Sequence, residues 1–168
     1  MKTSKIARVA LLAAAALVLL IIAGFAPSAQ LCLTAVAGVA SALAVIHAGI
    51  GSGFACWAVV SVLGFIIVPT KGCAVMYAMF FGVYPVLKSL IERIGTLWIE
   101  WVIKLVLFNA VLSVCIFALK TLFFAGAEEI LKFIPVLYIG GSIVFVIYDI
   151  GFSRLISFYY ERVNPKGI

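Results

Sequence analysis

The chain has 168 residues, 67% of them hydrophobic and 11% charged, with a mean hydropathy of +1.33. Soluble domains are about 45–50% apolar and about 25% charged, so a water-soluble enzyme domain, a disordered chain and a disulfide-stapled secreted module are excluded. The formal charge is +6, but the charges gather beside apolar runs, which is how topology signals look and not how a nucleic-acid surface looks.

A membrane-crossing helix needs about 20 mostly apolar residues, and about six such stretches follow in chain order. The first covers 6–25 and stops at Ala26-Pro27-Ser28. Lys2, Lys5 and Arg8 precede it like a signal n-region, but the apolar run is longer than a signal core of about 7–15 residues. It therefore reads as an uncleaved first membrane helix. The second covers 30–48 and closes on His47 and Gly49. The third covers 51–68 and stops at Pro69-Thr70-Lys71-Gly72. Gly49, Gly51 and Gly53 loosen the junction of these two, so a partly re-entrant pair is an alternative to two full spans. The fourth covers 73–91 and carries Pro85, which predicts a kink. The fifth covers 98–124 and is broken by Ala125-Gly126-Ala127-Glu128-Glu129, with room for a short surface helix. The sixth covers 134–158, with Gly140-Gly141 marking a kink or close packing, and a short polar tail follows. The expected fold is an all-α integral membrane protein, a bundle of about six transmembrane helices forming one transmembrane domain over residues 1–168.

Lys and Arg in short loops set the orientation. With the N-terminus inside, the inner segments hold Lys2, Lys5, Arg8, Lys88, Arg93, Arg154, Arg162 and Lys166. The outer ones hold Lys71, Lys120 and Lys132, the last two near Glu128 and Glu129. Both termini are therefore expected in the cytoplasm, with Trp98, Trp101, Tyr159 and Tyr160 at the inner interface. Such basic clusters also suit anionic lipid headgroups.

Polar groups inside spans need a reason, because an ionisable side chain at the bilayer centre costs at least ~2.5–3.5 kcal/mol. Helical spacing places Tyr77, Tyr84 and Lys88 on one face of the fourth helix. It places Asn109, Ser113 and Lys120 together on the fifth, and Tyr138, Ser142, Phe145 and Asp149 together on the sixth. Converging, the three stripes would form a small pocket with a few placed polar contacts; interhelical hydrogen bonding is the structural alternative. Asp149 stands out as a short carboxylate within a span. Lys88/Glu92 and Glu100/Lys104 are i,i+4 pairs able to neutralise themselves on one helix. With Arg154 they form a candidate charged cluster near the inner interface, for structure or partner contact. Asp149 has Arg154, Lys88 or Lys104 as candidate partners.

Cys32, Cys56, Cys73 and Cys115 are scattered, with no CxxC and no ligand cluster, so no metal site is expected. They read as small apolar side chains; a Cys32–Cys73 disulfide is conceivable because both lie near span ends on one side. Gly49-x-Gly51-x-Gly53 follows no strand and is not a nucleotide loop. No nucleophile with a paired base, carboxylate dyad, HExxH or phosphate loop occurs. The chain is not expected to be an enzyme, and no cofactor is implied.

The first helix is smooth: Ala10 and Ala14 form an Ala-xxx-Ala pair that lets another helix approach closely, and Gly38 and Ala42 repeat that spacing on the second. The basic start running into the Ala-rich Ile6-Ala7-Arg8-Val9-Ala10-Leu11-Leu12-Ala13-Ala14-Ala15, together with the six-span layout, resembles the substrate-capture (S) components of energy-coupling factor transporters. The resemblance covers nearly the whole chain in layout. It implies a small bacterial inner-membrane protein that binds a vitamin or related nutrient. Its implied partners are a transmembrane coupling subunit and two ATPases on other chains, with Ala10 and Ala14 docking the coupling subunit. It also implies solute contacts from the loop after the first helix and from later helices, at Gln30, Tyr77, Asn109, Ser113 and Tyr138. Tyr84, Ser142 and Asp149 join that set through their shared stripes. The alternative is a non-transport scaffold that holds a partner or lipid through the charged cluster of Lys88, Glu92, Glu100, Lys104 and Arg154.

Overall fold

The computed structural model describes residues 3–122 and 134–163. Every regular element among them is helical: α1 (Thr3–Phe25), a 3-10 turn (Pro27–Ala29), α2 (Gln30–Ala48), α3 (Ile50–Ile67), α4 (Lys71–Met76), a π-helical turn (Tyr77–Phe81), α5 (Tyr84–Ile91), α6 (Leu97–Leu122) and α7 (Ile134–Val163). α4, the π turn and α5 form one interrupted span, Lys71–Ile91, so six helical segments are long and apolar enough to cross a membrane. α2 with its leading turn, and α3, each meet that length. The expected break at 125–129, and the Glu128, Glu129, Lys132 and Lys166 positions, lie outside the described residues.

Local chemistry sets the boundaries. α1 ends before Pro27, and Ala26, pushed out of the helical region by the following proline, sits at φ −116° and ψ 80°. Between α2 and α3 the chain reverses on Gly49 alone, at φ +91°. Its N–H donates to the Val45 carbonyl at 2.8 Å, and its own carbonyl accepts from Ser52 N at 3.0 Å. Only glycine takes that backbone cheaply. α3 stops at extended Val68 before Pro69, and the Lys71 ammonium covers the last carbonyls, donating to Phe65 O at 2.6 Å and Val68 O at 3.2 Å.

The described chain falls into two compact units, Met1–Lys104 and Leu105–Ile168. In the first, α1 packs on α2 and α3, and α2 packs on α3 and on the interrupted span. Its core is built from small side chains: Ala13, Ala16, Leu20 and Ala23 of α1, Ala37, Ala40 and Ala44 of α2, Cys56 and Val60 of α3, and Cys73 and Tyr77 of the interrupted span. Small residues let helix backbones approach closely. In the second unit, Phe108 of α6 stacks on Phe145 of α7, with centroids 4.7 Å apart.

The expected kinks divide. The fourth span does break, but upstream of Pro85, at the π turn and Gly82-Val83. Gly140-Gly141 lies inside uninterrupted α7. There Gly141 serves close packing: a Cβ on it would stand 3.3 Å from the Phe108 ring and 3.5 Å from Leu112. Cys32 is exposed and Cys73 buried, and both are free thiols.

Candidate functional site

The most developed polar feature of the first unit is a charged cluster where α5 turns into α6. The Glu92 carboxylate accepts from Lys88 Nζ at 2.8 Å and from Lys104 Nζ at 2.9 Å through the same oxygen. The two lysine side chains are 3% and 5% exposed, whereas Glu92 is 43% exposed. Two desolvated ammonium groups thus converge on one half-open carboxylate. The Trp101 ring adds a face to Lys104, whose Nζ stands 5.7 Å from the ring centroid.

The expected Lys88–Glu92 pair forms. The expected Glu100–Lys104 pair does not: among the described residues Lys104 reaches Glu92 across the turn, and Glu100, in the first turn of α6, has no ion pair. Arg93 is exposed beside the cluster.

A second polar group lies in the core of the first unit. Tyr77, fully buried, shares a hydrogen bond of 3.0 Å with the Ser41 hydroxyl of α2. The Cys56 side chain of α3 is buried in the same core. Beside them, Trp57 Nε1 donates to the Ala78 carbonyl at 2.9 Å. These bonds tie three spans together, as interhelical polar contacts do. Tyr77 is therefore engaged in packing rather than aimed into a cavity. Tyr84 is also fully buried, its ring stacked on Phe80 at 5.2 Å. Gln30 is half-buried at the start of α2, where its carbonyl accepts from Thr34 Oγ1 at 2.7 Å.

In the second unit the predicted stripes do meet. Ser113 of α6 and Tyr138 of α7 share a hydroxyl–hydroxyl hydrogen bond. Ser113 also donates to the Asn109 carbonyl, and Asn109 Nδ2 to the Leu105 carbonyl, both at 2.8 Å. Ser142 is half-buried, one turn along α7 from Tyr138. Asp149 is buried, its carbonyl accepting from Ser153 Oγ at 2.8 Å, and Arg154 is exposed. No group of three or more potential metal ligands occurs among the described residues.

On α1, Ala13, Ala16, Leu20 and Ala23 are buried, while Ala10 and Ala14 are exposed. The sequence reading missed Ser41 and Trp57, whereas Cys56 lies in the core as the small apolar side chain it was read as. The one signal of the missed pair was a serine, and an indole N–H, set among small apolar residues on these helices. Comparison with known proteins returns no matching family model, no matching curated protein and no matching solved structure.

Proposed function

We propose that this chain is a membrane-embedded solute-binding subunit of an ATP-driven, energy-coupling-factor-type nutrient importer. It would be a multi-pass protein of a bacterial inner membrane with both termini in the cytoplasm. The observation that supports this reading is the division of labour on α1. Its core contacts are made by Ala13, Ala16, Leu20 and Ala23, and Ala10 and Ala14 remain exposed. A smooth exposed stripe permits the close approach of a partner helix. In this reading Asn109, Ser113, Tyr138 and Ser142 supply hydroxyl and amide contacts to a small solute, and the ATPases come from other chains. Tyr77 and Tyr84 then act by shaping the fold.

The test is purification of the tagged protein from its own host in mild detergent, with mass spectrometry of what accompanies it. A coupling subunit and two ATPases are expected with the wild type and lost with Ala14→Leu. Their absence from the wild-type preparation overturns the reading.

A second reading rests on the charged cluster. Lys88, Glu92 and Lys104, with Glu100 nearby, would serve a scaffold that holds a partner or lipid without transport. It is favoured by the shared Glu92 carboxylate, a more finished polar arrangement than the predicted solute contacts. Capture of an envelope protein that Arg93→Gln releases, with no ATPase, would favour it.

A further inference from the structure

Along one side of the first unit, a groove of about 270 Å³ lies between the N-terminal parts of α1 and α3, lined by Ile6, Val9, Ala10 and Ala13 from α1 and by Gly51, Ser52, Ala55 and Val59 from α3. At about 1.5 Å rise per residue the lining runs roughly 10–12 Å along both helices, so the groove is elongated parallel to the spans. Its one polar side chain is already satisfied, since Ser52 Oγ donates to the Ala48 carbonyl at 3.1 Å. Nothing in the lining selects a polar solute.

The end of the groove carries charge. Lys5 is exposed on α1, one helical turn before Val9 of the lining, and Arg8 is exposed beside Val9. A lysine stem can lie along the apolar rim while its ammonium stays at the polar boundary. An apolar slot running with the spans and ending at a cation is complementary to a chain that is apolar along its length and anionic at its head.

We propose that the groove between α1 and α3 holds one acyl chain of an anionic phospholipid whose headgroup phosphate is bound by Lys5. The site is independent of the importer reading. It shares Ala10 with the exposed stripe of α1, but Ala14 is outside it, so the two ideas can fail separately.

Gly51 offers a selective test. A Cβ there would meet no atom within 4 Å, so Gly51→Leu fills the groove without disturbing packing. Ala55→Leu fills it from the same helix. Gly140→Leu, also at a position where a Cβ meets nothing, is the control on α7. Each protein is reconstituted in nanodiscs of equal phosphatidylglycerol and phosphatidylcholine, re-extracted in mild detergent, and its retained phospholipid counted by mass spectrometry. Wild type and Gly140→Leu are expected to retain phosphatidylglycerol in preference to phosphatidylcholine. Gly51→Leu and Ala55→Leu should lose the retained lipid while keeping the wild-type thermal midpoint. Lys5→Gln should keep a bound lipid but lose about fivefold of its headgroup preference, the worth of one basic residue at an anionic surface. Retention at the mixing ratio by wild type, or wild-type retention by both groove-filling variants, overturns the proposal. So does recovery of a protein in place of lipid, released by Gly51→Leu, which would make a helix the occupant.

Discussion

Glu92 is where two charges of the first unit meet. Lys88 and Lys104 are both nearly closed to solvent and both lean on one carboxylate oxygen. Losing a hydrogen bond to a charged group costs about 1.5–3 kcal/mol. Glu92 itself is half-open, so Glu92→Ala is expected near the lower end of that range, read as a fall in unfolding free energy in mixed micelles. Glu92→Gln keeps an acceptor and should cost less. Equal losses for the two variants would mean that charge is not what matters there. Spacing alone foresaw Lys88–Glu92 but gave Lys104 to Glu100. An i,i+4 pair states which groups can meet, and the turn decided which do. Glu100 occupies the first turn of α6, where the helix N-terminus already favours a negative charge, and this leaves Lys104 for the carboxylate across the turn. Tyr77 makes a smaller statement. Tyr77→Phe removes the bond to Ser41 and should cost about 0.6 kcal/mol and at most about 1.7, as interhelical hydrogen bonds in membranes do. The same denaturation series reads it.

At the scale of elements, the interrupted fourth span shows how proline acts at a distance. Pro85 has no N–H to donate to the carbonyl four residues earlier, which is that of Phe81. The disturbance is therefore felt upstream of the proline: Gly82 N–H closes on Tyr77 O at 2.7 Å, an i→i−5 bond, and the helix resumes at Tyr84. The Phe81 carbonyl faces Gly38 of α2, where a Cβ would collide with it. A backbone oxygen cannot swing aside as a side-chain end can. Gly38→Ala should thus destabilise the protein by at least the ~1–3 kcal/mol typical of overpacking, seen as a lowered thermal midpoint in detergent. Gly51→Ala, facing open space, should be near neutral. A neutral Gly38→Ala would show that α2 and the π turn do not pack this closely. Pro85 made a break legible in the sequence; its place was not, because the missing bond lies at i−4. Gly140-Gly141 sent a similar signal with a different outcome, since Gly141 admits the Phe108 ring and leaves α7 straight through.

For the whole molecule, the six long apolar helices among the described residues were legible because length, apolarity and proline or glycine stops act locally. The contacts that give the first unit its core were not, because Ala, Gly, Ser and Cys carry almost no pattern until a neighbouring helix selects a face. Ala13 and Ala16 face inward, and Ala10 and Ala14 do not. That choice is tertiary. The orientation read from Lys5, Arg8, Lys88 and Arg93 can be tested with a thiol the chain already holds. Cys56 and Cys73 are buried and Cys115 is half-buried, whereas Cys32 is exposed in the first turn of α2. In the first unit the start of α2 lies at the opposite end from the start of α1, since Thr70 Oγ1, after α3, bonds the Gly24 carbonyl near the end of α1 at 3.0 Å. If the basic N-terminus is cytoplasmic, Cys32 faces the other side of the membrane. A membrane-impermeant maleimide applied to intact spheroplasts should then label the wild type, and Cys32→Ser should abolish the labelling. Labelling that appears only after the membrane is opened would place the N-terminus outside. It would also turn Lys88, Glu92 and Lys104 away from the cytoplasm, so the scaffold reading of that cluster would fall with the orientation.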